Sequence, residues 1–388
     1  MLLLAVISTA RSHAQGFVSE RNSLLQDAGT AISVGDTSRA ENDLQSILSG
    51  SPHDYQAMDL LGILRAQQRR DSEAQALFQE ITKDHPVFAA AHIHLGLLYI
   101  QVLQPEKAIA ELQEGLRLAP ERKDASKALI GIWRDQARTA ISSGENEKAL
   151  SLLLQAKKVS SEDPDLQFEL GMVELRMGLL SDAIVSFQKT IELRPEDAMA
   201  IYGLGRAFME HSQFEDARRQ FAHYIELRPN DASGHYGLGM TYAALEHSPE
   251  ARREFETSIA LAPVQTESYF RLGVLDLNIH DLDSAANNFQ HVIDRDPKHA
   301  GALAALGHVE FERKKYEESA ELLERAIQSD SSLREAHYYL GLTYARLGKK
   351  QQSDEQFQIA TKLDQEQLEK QRADLKVLDP ETNNVQSK

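Results

Sequence analysis

The 388-residue sequence contains no cysteine and only one tryptophan. Without cysteine the chain cannot form a disulfide, a thiolate metal site or a cysteine nucleophile. Long apolar runs are also missing, since no stretch approaches the roughly 20 apolar residues that a membrane-spanning helix needs. These absences exclude a multi-span membrane protein and leave the cellular compartment open.

Basic residues are in the minority, with 42 Lys and Arg against 59 Asp and Glu, which gives a formal net charge of -17. A surface of this sign repels phosphate backbones, so we do not expect nucleic acid as a general partner. Hydrophobic residues make up 42% and charged residues 26% of the chain. This composition is typical of folded globular chains and excludes disorder along the whole length.

The N-terminus combines a short apolar run with a small-x-small motif. Residues 1–7 are apolar, and Ser12 and Ala14 stand before Gln15 with the spacing that signal peptidase accepts. A basic segment before the apolar run is missing. We predict a signal peptide over residues 1–14 and therefore a periplasmic or secreted mature chain. The alternative is an apolar N-terminus on a cytoplasmic protein.

A 34-residue period runs through the rest of the chain, and every step from Gly171 to Gly341 has this length. A Leu-Gly pair recurs at Gly62, Gly96, Gly171, Gly205, Gly239, Gly273, Gly307 and Gly341. Twelve residues after each glycine stands a small residue, namely Ala74, Ala108, Ala183, Ala217, Ala251, Ala285, Ser319 or Ser353. Four further on stands a large apolar residue: Phe78, Leu112, Phe187, Phe221, Phe255, Phe289, Leu323 or Phe357.

This pattern resembles the tetratricopeptide repeat, in which Leu-Gly is followed by Ala-x3-Phe and then by Pro. The repeat at residues 232–265 shows it with Leu238, Gly239, Ala251, Phe255 and Pro263. We count ten repeats over residues 21–367, starting at 21, 55, 89, 130, 164, 198, 232, 266, 300 and 334. The first and fourth lack Leu-Gly, and a seven-residue insertion within 121–129 precedes the fourth. Seven residues are about two helical turns, so the first helix of repeat 4 can start earlier.

Helical periodicity predicts two helices per repeat, here named helix A and helix B. Counted from each start, positions 4, 7, 8 and 11 share one face of helix A, and positions 20, 24 and 27 share one face of helix B. The two faces predict an antiparallel pair, and the resemblance implies an all-α, right-handed α-solenoid, a superhelix of such pairs. We expect a polar capping helix over residues 364–378 and a flexible tail over 379–388.

In the resembled family, the side of helix A opposite its packing face lines a concave groove. Position 5 places an aromatic row there, interrupted by Ala304, and three arginines stand nearby. The predicted partner-binding residues are Phe168, Tyr202, Tyr236, Phe270, Tyr338, Arg138, Arg206 and Arg271. Aromatic residues and arginine are enriched at binding hot spots, so we expect a protein or peptide partner. In the alternative interpretation, the aromatics pack on the next repeat and only partly reach the groove.

The carboxylate clamp of chaperone-binding repeats is not expected, because position 5 is never Lys here. Arg134 and Arg138 come nearest to it, but they are followed by Glu169.

Motifs for catalysis are missing: there is no HExxH, no GxxxxGK[ST] and no GxSxG. His92 and His94 point to different sides of a helix, so they are poor joint ligands for a metal ion. From these missing motifs we expect no metal site, no cofactor and no catalytic residue.

The leading prediction is a non-enzymatic binding scaffold in an exported, envelope-associated complex. The alternatives are a cytosolic assembly or regulatory adaptor and a glycan-acting enzyme or enzyme subunit. We expect a monomer, with self-association through the ends of the array as the alternative.

Overall fold

The computed structural model describes residues 2–378, with side chains for residues 18–369. Over this range the chain is all-α, as predicted. The helices are α1 Leu2–Val34, α2 Thr37–Gly50, α3 Tyr55–Gln67, α4 Asp71–Asp84, α5 Ala89–Gln101, α6 Pro105–Leu118, α7 Lys123–Ser142, α8 Asn146–Val159, α9 Pro164–Arg176, α10 Leu180–Leu193, α11 Ala198–Glu210, α12 Phe214–Leu227, α13 Ala232–Ala244, α14 Ser248–Leu261, α15 Glu267–Asn278, α16 Leu282–Arg295, α17 Ala300–Glu312, α18 Tyr316–Ser329, α19 Arg334–Arg346 and α20 Lys350–Leu378. The predicted tail at 379–388 and the side chains of the predicted signal peptide lie outside the described residues.

The helices group into two compact halves, Met1–Leu193 and Arg194–Lys388. Within each half, every odd-numbered helix packs on the helix that follows it, and each helix B also packs on the next helix A. Short turns join the members of each pair, as in an αα-hairpin. The prediction of an α-solenoid of antiparallel helix pairs is confirmed.

Most A helices begin at the residue that the repeat period gives, for example α9 at Pro164 and α13 at Ala232. Helix α7 begins at Lys123 and has 20 residues, whereas α5 has 13, so the insertion adds two turns to helix A of repeat 4. Residues 364–378 are helical, as expected, but not as a helix of their own. They continue α20 without a break, because no Gly or Pro interrupts the segment that begins at Lys350.

Local signals fix where helix A begins and ends. An aspartate before α3, α9, α11 and α13 accepts a backbone N–H from the first turn, which satisfies a donor that the helix leaves free. At position 15, after helix A, the backbone enters the left-handed region in all ten repeats. The residues there are Gly35, Arg69, Leu103, Gly144, Gly178, Ser212, Glu246, His280, Lys314 and Gly348.

Eight of the ten pairs have a close contact between a position 8 glycine and the position 24 side chain of the same repeat; repeats 1 and 4 have Ala28 and Ala137 at position 8. A Cβ atom added at Gly171 would stand 2.9 Å from the Phe187 ring, and one at Gly273 would stand 2.7 Å from the Phe289 ring. The rings of Phe187 and Phe289 are fully buried. The same contact recurs from Gly62–Phe78 to Gly341–Phe357, so glycine is required for helices A and B to approach this closely.

Histidines at position 4 connect helix A to its surroundings. His92 lies between the Glu111 carboxylate, 2.7 Å from Nδ1, and the Pro86 carbonyl oxygen, 3.1 Å from Nε2. His235 and His337 occupy equivalent settings. Each of these side chains joins helix A to helix B and to the preceding turn, which is a structural role.

Candidate functional site

The A helices of neighbouring repeats contact one another in both halves, for example α3 with α5 and α17 with α19. The A helices therefore lie on the inner side of each stack. We call the surface formed by the A helices of the C-terminal half, α11, α13, α15, α17 and α19, the inner surface. The candidate site lies on this surface.

The position 5 aromatics pack against the position 24 phenylalanine of their own repeat. The five ring pairs have centroid separations between 5.6 Å, for Tyr202 and Phe221, and 6.1 Å, for Tyr236 and Phe255. Four of the five rings are half-buried, whereas Tyr338 is 38% exposed. One part of each ring is therefore buried in the interior, and the rest is exposed to solvent.

The predicted arginines are divided between the halves, with Arg138 in the N-terminal half and Arg206 and Arg271 in the C-terminal half. In the N-terminal half, Arg138 donates to Glu169 at 2.7 Å and to Asp135 at 2.8 Å, and Glu169 also accepts from Arg134 at 2.8 Å. Arg138 is thus neutralised within the chain, so a partner carboxylate would have to displace Glu169.

In the C-terminal half, Arg206 pairs with Glu210 one turn away at 3.1 Å, and both side chains are exposed. Exposed pairs of this kind contribute little stability, so Arg206 can turn to a partner at low cost. Arg271 lies over the ring of Phe270, with its guanidinium carbon 5.7 Å from the ring centroid. Phe270 and Arg271 present an aromatic face and a cation side by side.

The interruption of the aromatic row at Ala304 coincides with a hollow of about 280 Å³. In this repeat position 24 is Leu323, so both rings of the pair found in repeat 8 are missing. The hollow is formed by helices α15, α17 and α19. Its lining residues are Phe270, Leu277, Gly301, Ala304, Ala305, His308, Leu333, Glu335 and Tyr339.

The walls of the hollow are largely apolar and uncharged. His308 stacks on Tyr339 with ring centroids 3.8 Å apart. Burial lowers the pKa of His308 and raises the pKa of Tyr339, so both side chains are neutral near pH 7. Glu335 is exposed at the rim. The arrangement suits an apolar side chain with a polar group beside it.

Phe270 of the predicted row and Ala304, which interrupts that row, both line the hollow, whereas Gly301, His308 and Tyr339 were not among the predicted residues. The signal that could have found the hollow is an alanine at position 5, which only repeat 9 has, together with a non-aromatic residue at position 24. The described side chains hold no group of three His, Asp or Glu placed to bind a metal ion. Among the described helices, none combines the length and apolar character needed to cross a bilayer.

The stacked pairs with their glycine–aromatic contacts define a tandem helix-pair repeat protein. A tetratricopeptide repeat model matches residues 60–123, 134–198 and 202–266, and a TPR repeat model matches residues 307–348. These matches cover more than half of the sequence, and the chain belongs to the tetratricopeptide repeat family. Proteins of this family generally act as scaffolds for protein–protein interaction.

Two curated relatives share part of the repeat array. The PEX5-related protein of Mus musculus is 25% identical over 159 residues, which are 40% of this chain and 28% of the relative. Superkiller complex protein 3 of Mus musculus is 32% identical over 178 residues, which are 45% of this chain and 11% of the relative. The chain therefore spans less than a third of the length of either relative.

Solved structures show similar helix pairs. A chain of the Cut9–Hcn1 APC/C hetero-tetramer is 13% identical with a TM-score of 0.48, and the match covers 90% of this chain and 95% of that one. MamA from Desulfovibrio magneticus is 23% identical with a TM-score of 0.42, and the match covers 44% of this chain and 96% of that one.

Proposed function

We propose that the chain is a non-enzymatic scaffold that binds an extended peptide of a partner protein on its inner surface. The hollow at Ala304 receives one apolar side chain of that peptide. The observation that carries the proposal is the hollow itself, an apolar recess between three A helices, bordered by Phe270 and Tyr339. Burying one Leu or Phe side chain there contributes about 1.5–3 kcal/mol to binding.

The partly exposed aromatics extend this contact along the surface. Tyr338 lies next to Tyr339, with ring centroids 5.4 Å apart, and is the most exposed ring of the row. Arg206 and Arg271 supply cations that are only weakly held by the chain itself. An extended peptide with an apolar anchor and acidic neighbours fits this combination of groups.

Filling the hollow tests the proposal. Ala304→Phe introduces the aromatic residue that repeats 5 to 8 and repeat 10 carry at position 5, and the smaller Leu323 below it leaves room for the ring. Randomised peptides displayed on phage and selected on the native chain would serve as the probe. We expect the selected peptides to bind Ala304→Phe about ten- to a hundredfold more weakly, because the anchor loses its place.

A matched control adds the same ring elsewhere. Val185→Phe enlarges an exposed side chain on α10, a helix B that does not belong to the inner surface, and should leave binding unchanged. If Ala304→Phe keeps its helix content and binds the selected peptides as tightly as the native chain, the hollow is not the anchor site.

Export of the chain is the second part of the proposal. It is supported by the apolar run in residues 1–7 and by the small residues Ser12 and Ala14 before Gln15. The intact mass of the protein purified from its native host tests it. Loss of residues 1–14 supports an exported scaffold, whereas their retention supports a cytosolic adaptor.

A further inference from the structure

The two extra turns of α7 border a second concave feature, which shares no residue with the inner surface. A cleft of about 880 Å³ is lined by α6, α7 and α8 in the N-terminal half. Leu129, which lies in the added turns, and Trp133 contribute from α7, and Leu116 contributes from α6. We call this feature the α7 cleft.

Apolar side chains line the α7 cleft. Leu129 and Trp133 are nearly fully buried in the hydrophobic core beneath it. Leu154 of α8 borders the cleft and is 41% exposed, although it is a large apolar residue. Leu116 and Val159 also line the cleft and are half-buried, so the apolar surface that the cleft offers to a ligand comes from Leu116, Leu154 and Val159. Association with an apolar partner would remove this lining from water.

Positive charge stands at one end of the α7 cleft. Lys157 and Lys158 occupy the last turn of α8 and line the cleft. Neither lysine forms an ion pair among residues 18–369, although the chain as a whole carries 59 acidic residues. Two lysines beside an apolar lining favour a ligand that joins apolar groups to carboxylates.

We propose that the α7 cleft binds an acidic amphipathic helix of a partner protein. The apolar face of that helix packs on Leu116, Leu154 and Val159, above the buried Trp133, and its carboxylates pair with Lys157 and Lys158. Helix-in-groove binding of this kind uses apolar anchors on one face of the ligand helix. A small molecule fits less well, because small-molecule pockets bury most of the ligand surface and this cleft is open to solvent.

The chain carries its own reporter for the test, since Trp133 is its single tryptophan. The probe is a displayed library of helical peptides of about 14 residues, or four turns, with a constant leucine face and randomised charged positions. Peptides selected on the full chain are then titrated against it by Trp133 fluorescence. We expect selection of Glu- and Asp-rich peptides and a change in Trp133 emission on binding.

Charge reversal distinguishes electrostatic attraction by the two lysines from non-specific hydrophobic binding of the peptides. Lys157→Glu/Lys158→Glu should weaken the acidic peptides about tenfold, and peptides with Lys in place of Glu should recover binding to this variant. Leu154→Asp should abolish binding, whereas Leu179→Asp, at a leucine that is 37% exposed outside the cleft, should not. Both leucines are accessible, so the helix content of each variant, measured by circular dichroism, should stay native.

The proposal is overturned if selection yields no peptide that distinguishes the native chain from Leu154→Asp. It is also overturned if the selected peptides are basic, or if reversing both lysines leaves their affinity unchanged. Ala304→Phe should not affect peptides bound at the α7 cleft, so failure here is separable from failure at the inner surface.

Discussion

Repeats 8 and 9 are neighbours in the C-terminal half and share the same helix pair, but they differ at two linked positions. In both repeats a Cβ atom added at the position 8 glycine would stand 2.7 Å from the position 24 side chain, Phe289 in one and Leu323 in the other. Repeat 8 adds a ring contact between Phe270 and Phe289, with centroids 5.8 Å apart. Repeat 9 has Ala304 in place of the first ring and the hollow beside it.

The difference between repeats 8 and 9 shows that two contacts of the repeat have different roles. The contact between positions 8 and 24 holds helix A to helix B and is kept in both repeats. The contact between positions 5 and 24 lies nearer the surface and can be removed without loss of the pair. A binding feature therefore forms where a repeat departs from the pattern, and the pattern supplies the framework around it.

The largest expected effect tests the ring pair in repeat 8. Phe289→Ala should lower the free energy of unfolding by about 3–5 kcal/mol, because a fully buried ring leaves a cavity beside Gly273 and Phe270. Leu323→Ala in repeat 9 should cost less, since no second ring depends on it. Urea denaturation of both variants measures the difference, and equal losses would show that the ring pair adds nothing.

A second comparison uses glycines of the two repeats. Gly273→Ala should cost about 1–3 kcal/mol, because the new methyl group would stand 2.7 Å from the Phe289 ring. Gly301→Ala in repeat 9 meets its nearest neighbour, Phe270, only at 3.4 Å and should be neutral or stabilising by up to about 1 kcal/mol. Thermal unfolding of the two variants side by side measures this, and a loss at Gly301 would mean that the hollow is more tightly packed than its geometry indicates.

A substitution at the position 15 turn should have a smaller effect on the free energy of unfolding, and it should stabilise the fold. Lys314 of repeat 9 has φ 64°, in a region where a residue with a Cβ atom is strained. Lys314→Gly should therefore raise the free energy of unfolding by about 0.5–1 kcal/mol, after the entropy cost of glycine. Gly348→Ala in repeat 10, where φ is 71°, should lower the free energy of unfolding, because it places a Cβ atom in the same strained region. Chemical denaturation that shows the same sign for both variants would contradict this account.

The smallest effect depends on pH and on position 9, which is Val274 in repeat 8 and His308 in repeat 9. Burial lowers the pKa of His308 below its ordinary 6.5. Between that value and the lowered pKa, the unfolded chain binds more protons than the folded chain, so acidification destabilises the fold. His308→Val removes this contribution. Its stability relative to the native chain should rise as the pH falls from about 7 to about 5 in denaturation experiments, and a constant difference would refute the assignment.

Much of the fold could be predicted because the period fixes the register of a close contact. The spacing of Gly171, Gly205 and Gly239 gave the first residues of α9, α11 and α13, since each glycine must face its phenylalanine. A helix over residues 364–378 was predicted, but its continuity with the residues before 364 was not, because a polar composition does not show whether a helix ends and restarts.

The candidate site was harder to predict, because it depends on contacts between repeats. Arg138 looked available in sequence, but it is neutralised by Glu169, 31 residues away, whose position follows from how two A helices pack. The sequence predicts the aromatic row on the groove side, with packing on the next repeat as the alternative. In the structure each ring packs on the position 24 phenylalanine of its own repeat. The hollow at Ala304 results from a missing side chain, which no motif search detects.

The contact between the position 8 glycine and the position 24 side chain has a consequence for how such chains change through evolution. Both partners lie in the same repeat, 16 residues apart, so each of the eight repeats with a position 8 glycine contains its own complete contact. Duplication or loss of a gene segment encoding 34 residues therefore preserves the spacing of every such contact. This holds wherever in the repeat the breakpoints fall. Recombination can lengthen or shorten the array while the remaining repeats, including one with a specialised surface, are inherited unchanged.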